Sequence, residues 1–309
     1  MKSVLVLLST YNGEKFLSDQ INSLLAQEGV NVHILVRDDG SKDKTLEILE
    51  EYSIANRNIT ILKGQNVGAS KSFHILICEA YQNYRNFDYY SFCDQDDVWH
   101  RDKLLSACTS LDSDSHLTKL YFCRATPVDA NLNIIDGMQD IKIINNSAAC
   151  IVSNRSLGCC QVFNIDLLDK ISILSKKITT GRTDFIPLHD CWTANVAYAF
   201  TGTVCFDNSV HIYYRQHGGN VVGAKTSTLQ RISRSLYPKY PNFKTDLCRE
   251  ILNEFGEQLP KRNRSLYLKV ANYRTGILDT LKFLFTPSIY VFGIKNNLLL
   301  VCQILLRRF

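Results

Sequence analysis

The first 125 residues alternate short apolar or β-branched runs with longer amphipathic stretches, and this pattern predicts successive βαβ units around an open, mostly parallel sheet. Ser41 is the predicted N-cap of the second helix, with Lys42 to Thr45 as its first turn. The predicted strands lie near residues 3–8, 32–37, 59–63, 88–93 and 119–124, and the predicted helices near 13–27, 42–55, 68–84 and 100–112.

Polar residues follow three of these strands. Thr10, Tyr11 and Asn12 come after the first strand. The pair Asp38 and Asp39 comes after the second strand, and the group 94–97 after the fourth. Ligands of open parallel sheets bind beyond the carboxyl ends of the strands, so we expect all three groups to share one edge of the sheet.

The composition is that of an ordinary globular protein, with 309 residues, 45% hydrophobic and 21% charged. Eleven cysteines are scattered along the chain without zinc-ligand spacing, and an odd count favours reduced thiols over a disulfide framework. The apolar run Val4 to Leu8 after Lys2 is too short for a secretory signal and predicts a buried first strand. A cytoplasmic protein is therefore expected.

The charge is divided unevenly along the chain. Residues 225–309 contain 15 lysines and arginines against 5 acidic residues, whereas residues 1–224 contain 20 against 25. The apolar runs 283–294 and 297–306 are too short to span a bilayer. We therefore predict a domain over 1–224 and a basic, helical region over 225–309 that contacts the anionic inner face of the cell membrane peripherally; nucleic acid is not an expected partner.

Between residues 126 and 224 the alternation loosens, with turn residues around 129–137 and a helix-like stretch near 190–200. This part is expected to carry the acceptor side of a substrate site.

The acidic group Asp94, Asp96 and Asp97 places three carboxylates within four residues at a predicted strand end. Such carboxylates repel one another, and a hard divalent cation such as Mg²⁺ or Mn²⁺, shared with phosphate oxygens, makes the arrangement favourable. The alternative is a solvated turn in which Asp97 or Asp102 caps the next helix.

Asp38 and Asp39 precede Gly40 and Ser41 in a predicted sharp turn. A carboxylate there is suited to accept hydrogen bonds from a ribose or a base N–H. The alternative is a turn and helix cap. Neither GxGxxG nor GxxxxGK[ST] occurs, which argues against a dinucleotide enzyme and a P-loop nucleotidase.

Four motifs in order resemble the family 2 glycosyltransferases of the GT-A fold. They are residues 9–12 (STYN), 37–41 (RDDGS), 66–68 (NVG) and 93–99 (CDQDDVW), and the resemblance covers about residues 1–220. It implies a nucleotide-sugar-binding α/β domain, a mostly parallel sheet flanked by helices, with a helical C-terminal appendage.

The resemblance also implies roles for individual residues. Asp94 and Asp96 correspond to the DxD element, with Asp96 as the direct metal ligand. The nucleotide and substrate contacts implied are Thr10, Tyr11, Asp38, Asp39, Lys71, Asp94 and Trp99.

The same family places an acidic base near the start of a helix under the acceptor, and Asp190 matches that position, with His189 as the rival base. A base there takes the proton of the acceptor hydroxyl as this attacks the anomeric carbon, which gives inversion. His189 and Trp192 are further implied substrate contacts. Local sequence alone predicts a helix N-terminus with Trp192 in the core.

In the segment 214–223 (YRQHGGNVVG), Arg215 offers a planar fork for a diphosphate and His217 a donor or metal ligand. The alternative is an ordered Gly-rich loop with His217 bonded to the backbone. The segment resembles rhamnosyltransferase-like members, which implies a dTDP-rhamnose donor and a glycan or lipid-linked oligosaccharide acceptor. The alternatives are a UDP-hexose donor and a non-catalytic nucleotide-sugar-binding module. A nucleotidyltransferase is disfavoured, because the sequence lacks the Gly-rich loop near the N-terminus that such enzymes use.

Overall fold

The computed structural model describes residues 1–113, 115–135, 146–200, 202–217 and 240–309. These residues form two compact units. The first unit comprises the described residues within Met1–Ile141, Ser156–Thr193 and Gly202–Asn220. The second comprises those within Lys142–Arg155, Ala194–Thr201 and Val221–Phe309.

The first unit contains one eight-stranded mixed sheet in the order β3-β2-β1-β4-β7-β6-β8-β5. Strands β1 to β4 pair in parallel, and β7 runs antiparallel to both of its neighbours, β4 and β6. The strands are β1 Lys2–Thr10, β2 Val30–Asp38, β3 Ile59–Lys63, β4 Tyr89–Cys93, β5 Val98–Trp99, β6 Lys119–Val128, β7 Gln161–Asn164 and β8 Thr203–Arg215.

The helices follow the strands in the order that βαβ units require. Residues Val4 to Leu8 of β1 are fully buried at the centre of the sheet, as the predicted first strand required. The described helices are α1 Leu17–Leu25, α2 Thr45–Ala55, α3 Ala69–Asn83, α4 Lys103–Asp112, α5 Ser147–Val152, α6 Ile165–Thr179, α7 His189–Ala199, α8 Phe243–Phe255, α9 Lys261–Asn272, α10 Ile277–Leu284 and α11 Ile294–Leu305.

The α/β class predicted from the sequence is confirmed, and all five predicted strands are present. The strands β5, β7 and β8 were not predicted, because two of them are short and β8 carries several polar residues. The alternation of apolar and amphipathic runs does not indicate that β7 enters antiparallel between β4 and β6.

The prediction that Ser41 caps the second helix is wrong. The Ser41 hydroxyl donates to Asp38 Oδ1 at 2.5 Å and accepts from the Asn12 N–H at 2.9 Å. Helix α2 therefore begins only at Thr45. Helix α1 also begins later than predicted, at Leu17, because the N–H groups of Phe16 and Leu17 both donate to the Gly13 carbonyl.

The regular secondary structure among the described residues of the second unit is helical. Tyr267 of α9 donates from its hydroxyl to the Asn195 carbonyl at 3.0 Å, and the Asn263 amide donates to the carbonyls of Tyr198 and Ala199. The rings of Tyr273, Phe283 and Phe309 pack together at centroid distances between 5.1 and 6.2 Å. Buried aromatic rings thus hold α9, α10 and the C-terminus together.

The predicted boundary between residues 224 and 225 lies outside the described residues and stays a prediction. Residues 146–155 and 194–200, which the sequence placed before that boundary, cluster with the second unit. Among the described residues, no helix combines the length and the apolar composition that crossing a bilayer requires.

Candidate active site

The three polar groups predicted to share a sheet edge do so. Strand register pairs Thr10 with Asp38, and Leu8 with Cys93, so the residues after β1, β2 and β4 emerge side by side. This follows from the parallel pairing of β1 with both neighbours, and it confirms the placement on which the predicted site depends.

Asp38 and Asp39 are both buried and both hydrogen-bonded by the protein. Asp38 accepts from the N–H groups of Gly40 and Ser41 at 3.1 and 3.0 Å, and Thr10 Oγ1 donates to it at 3.3 Å. Arg37 Nη1 lies 2.5 Å from Asp39 Oδ1. These contacts build the turn that the alternative interpretation described, and a nucleotide contact by either carboxylate stays a prediction.

The second carboxylate also fixes the loop before α3. Asp39 Oδ2 accepts from the backbone N–H groups of Val67 and Gly68 at 3.1 and 2.9 Å. Lys71 lies in the first turn of α3, half-buried, just beyond this loop. The RDDGS and NVG motifs are therefore two halves of one hydrogen-bonded structure.

Gln95 joins the loop after β4 to the loop after β1. Its Oε1 accepts from the Tyr11 N–H at 2.8 Å and its Nε2 donates to the Tyr11 carbonyl at 3.1 Å. A Cβ on Gly13 would lie 2.3 Å from Gln95 Oε1, so this contact requires glycine there. Tyr11 itself is 41% exposed.

Two acidic residues and a thiol meet at the end of β4. Potential ligand atoms of Asp94, Asp97 and Cys159 all lie within 4.8 Å of one another. Burial, followed by the charges of Asp96 and Asp190, raises the pKa of Asp94 above its usual range. Burial and the charges of Asp94 and Asp96 raise the pKa of Asp97 still more clearly. Burial and like charges thus disfavour the charged forms of both carboxylates.

The donor set fits a divalent cation. Asp97 is fully buried, its Oδ1 accepts from the Arg215 N–H at 3.0 Å, and its Oδ2 has no hydrogen-bond partner among the described residues. The predicted alternative of a solvated turn with a capping Asp97 is wrong, because this carboxylate is buried. Asp102 does not cap α4 with its side chain either, and instead contacts His211 Nδ1 at 3.1 Å.

Asp190 is the second residue of α7, and its carboxylate is held by backbone donors. The Cys191 N–H donates to Oδ1 at 2.6 Å, and the Gly158 N–H contributes a further bond. Burial raises the pKa of Asp190 to about 6, and these backbone bonds oppose the rise. The carboxylate is close enough to Asp94 to raise that residue's pKa.

His189 is built into the core. Its ring stacks on Phe73 at a centroid distance of 3.7 Å and meets the Phe92 ring at 4.6 Å. Burial lowers the pKa of His189 well below its usual range, so the ring is neutral at physiological pH. Trp192 is also fully buried, and its indole N–H donates to the Ile171 carbonyl at 3.2 Å. The side chains of His189 and Trp192 both pack in the core near the start of α7. This packing favours Asp190 over His189 as the general base.

Trp99 and Arg215 are buried as well. The Lys103 ammonium lies 3.2 Å from the centroid of the Trp99 ring. Arg215 Nη2 is 3.0 Å from Asp19 Oδ2, and its guanidinium lies 4.2 Å from the centroid of the Phe16 ring. The fork of Arg215 therefore holds an ion pair within the protein, and a diphosphate contact stays a prediction.

His217 joins the acidic group, since its Nε2 lies 2.7 Å from Asp96 Oδ2. This side-chain contact places His217 beside the predicted metal ligand, whereas the alternative was a bond to the backbone. Residues 218–223 of the same segment lie outside the described residues.

The contacts of Gln95, Gly158, Cys159 and Asp19 were not assigned from the sequence. Gln95 lies inside the CDQDDVW motif, so its place in the sequence could have indicated that it belongs to the site. Gly158 and Cys159 lie in a short 3₁₀ turn before β7, about 60 residues from the acidic group. No motif in the neighbouring sequence indicates that they belong to the site.

Gly158 is predicted to be essential for positioning Asp190. A Cβ at this glycine would lie 2.5 Å from His189 Nε2 and 3.4 Å from Asp190 Cβ. We expect Gly158→Ala to reduce kcat/KM by roughly a hundredfold, because a shift of about 1 Å in a reacting group costs that much. The control is Gly276→Ala, where the nearest described atom is 3.9 Å away. Equal activity in both variants would contradict this positioning role.

Known proteins match this chain in sequence and in fold. The model of glycosyl transferase family 2 matches residues 5–168. The dTDP-rhamnosyl transferase RfbG of Shigella flexneri is 29% identical over 232 residues, which is 74% of this chain and 77% of that protein. TarS of Staphylococcus aureus, a poly(ribitol-phosphate) β-N-acetylglucosaminyltransferase, is 29% identical over 110 residues, covering 35% of this chain and 18% of TarS.

Solved structures agree on the fold. A crystal structure of residues 1–349 of Staphylococcus aureus TarS has a TM-score of 0.57 at 18% identity, covering 93% of this chain and 75% of that one. A mannosyltransferase from Pyrobaculum calidifontis, in complex with GDP-Man and Mn²⁺, has a TM-score of 0.52 at 16% identity, covering 96% of this chain and 78% of that one. Because the family model covers more than half of the chain, and its motifs lie together at one sheet edge, the chain belongs to glycosyl transferase family 2 and is a glycosyltransferase.

Proposed function

We propose that this enzyme transfers L-rhamnose from dTDP-rhamnose to a hydroxyl of a surface polysaccharide or lipid-linked glycan, with inversion at the anomeric carbon. The observation that carries the proposal is the half-buried Asp190 carboxylate, held by backbone N–H groups beside the acidic group of β4. The similarity to a dTDP-rhamnosyl transferase over three quarters of the chain supports the choice of donor.

In the proposed reaction Asp190 accepts the proton of the acceptor hydroxyl. The hydroxyl oxygen forms a bond to the anomeric carbon as the bond from that carbon to the diphosphate oxygen breaks, and the electron pair leaves on the diphosphate. A single displacement from the opposite face inverts the anomeric centre. A pKa of about 6 keeps Asp190 ionised at neutral pH, as a base must be.

Asp94, Asp96, Asp97 and His217 are the residues that would hold a Mg²⁺ or Mn²⁺ ion. Such an ion neutralises charge on a diphosphate leaving group. The buried Asp97 Oδ2 and the pair of Asp96 with His217 support this assignment. The exposed Tyr11 and the half-buried Lys71 are proposed to contact the nucleotide.

The test is nucleoside diphosphate release from a panel of UDP-, GDP- and dTDP-sugars, with Mn²⁺ or Mg²⁺ and lipid-linked glycans from membranes as acceptor. We expect release from dTDP-rhamnose that requires the metal and the acceptor. Turnover of a UDP-hexose alone would assign the alternative donor. A folded protein that binds a nucleotide and turns over no donor in the panel would overturn the transferase mechanism and favour a binding module.

A further inference from the structure

A basic cavity of about 650 Å³ lies between α9 and α10 in the second unit. Its lining includes one carboxylate against four cationic side chains. The charged and apolar residues that line it are Lys261, Arg264, Lys269, Lys282, Asp279 and Leu268. A cavity with this excess of positive charge favours an anionic ligand.

Two of the cationic groups are already engaged. Lys282 Nζ lies 3.1 Å from Asp279 Oδ1, and Lys269 Nζ donates to Thr286 Oγ1 at 3.3 Å. The charged ends of Lys261 and Arg264 form no hydrogen bond or ion pair with any described residue. A guanidinium and an ammonium one turn apart, both without a partner in the part of the chain that the structure describes, suit the oxygen atoms of a phosphate group.

The wall of this cavity continues into an exposed apolar surface. Leu268 of α9 is 42% exposed, although it lines the cavity. The exposed fractions of Ile277 and Leu278 on α10, and of Phe285 directly after this helix, are between 73% and 75%. Leu278 and Lys282 are four residues apart and therefore lie on the same side of α10. Cationic and apolar groups thus adjoin, as they do in helices that lie in a membrane interface.

We propose that this cavity binds the headgroup phosphate of an anionic phospholipid while the apolar residues of α10 enter the outer acyl region of the bilayer. The apolar residues distinguish a lipid from free phosphate, since a soluble anion gives them no contact. Lys261 and Arg264, which have no partner among the described residues, suit a phosphate group and so distinguish a lipid from a second copy of this chain. The proposal gives the predicted peripheral membrane contact a specific site, and it is independent of the donor and of catalysis.

The test is cosedimentation of the full chain with vesicles of phosphatidylcholine alone and of equal parts phosphatidylcholine and phosphatidylglycerol. We expect binding to the anionic vesicles only, weakened by added salt. Lys261→Ala combined with Arg264→Ala is expected to lower binding roughly thirtyfold. The matched control, Arg249→Ala combined with Arg262→Ala, removes the same charge from exposed positions outside the cavity and is expected to have a much smaller effect.

Two further measurements identify the ligand. Leu278→Ser combined with Phe285→Ser is expected to weaken vesicle binding with no change in charge. Inorganic phosphate at millimolar level is expected to compete poorly, because it lacks the acyl contact. If the Lys261/Arg264 double variant and the Arg249/Arg262 control lose vesicle binding equally, the cavity is not the binding site. If the double serine variant still binds vesicles and inorganic phosphate abolishes that binding, the ligand is a soluble anion and not a lipid.

Discussion

Replacing Asp190 by asparagine is expected to reduce kcat by roughly 10²- to 10⁴-fold, the usual contribution of a general base. Asparagine keeps the size of the side chain and an oxygen that accepts from the Cys191 N–H, so the start of α7 is expected to remain intact. The change also removes a like charge that raises the pKa of Asp94. The melting temperature should therefore stay the same or rise, which separates lost catalysis from lost folding.

The matched control is Asp184→Asn, six residues earlier at an exposed position. This variant is expected to retain wild-type kcat and KM. Binding of the nucleotide sugar to Asp190→Asn should also persist, because the proton acceptor is not proposed to contact the nucleotide. Near wild-type turnover in Asp190→Asn would show that another group is the base, and would contradict the assignment.

Replacing Asp96 by alanine is expected to lower kcat/KM at a fixed Mn²⁺ concentration by about a hundredfold or more, since a catalytic metal contributes several kcal/mol to the transition state. Asp96 is partly exposed, and its Oδ2 contacts His217 Nε2 at 2.7 Å. Mn²⁺ is expected to raise the melting temperature of the wild type, because a ligand that binds only the folded state stabilises it. This rise should be much smaller in the variant.

Asp102→Ala is the control for Asp96→Ala, because Asp102 is 61% exposed and lies outside the acidic group. It removes a carboxylate from the same segment, and its partner His211 keeps the contact with Asp207. Activity and the Mn²⁺-dependent rise in melting temperature are expected to persist. If Mn²⁺ stabilises Asp96→Ala as strongly as the wild type, Asp96 is not a metal ligand.

The sheet edge was predictable because its determinants are local. A parallel strand followed by polar residues places those residues at one edge, whatever the rest of the chain does. Thr10, Asp38 and Asp94 each come directly after, or at the end of, a strand whose apolar run is visible in the sequence. The acidic group was therefore placed correctly from the sequence.

The remaining contacts depend on residues far apart in the chain. The Arg215 guanidinium pairs with Asp19 across 196 positions, and no local pattern selects that partner over a diphosphate. The backbone bond from Gly158 to Asp190 depends on the antiparallel strand β7, which the sequence pattern did not predict. His189 was the rival base because its burial against Phe73 and Phe92 arises only in the folded sheet.

Asp190 is proposed to activate the acceptor for a single displacement next to the acidic group of β4. The most direct test is the anomeric configuration of the product, measured by NMR as it forms from the donor that turns over. We expect inversion relative to the donor, with product formation lost in Asp190→Asn. A product that retains the donor's configuration would contradict a single displacement, and with it the role assigned to Asp190.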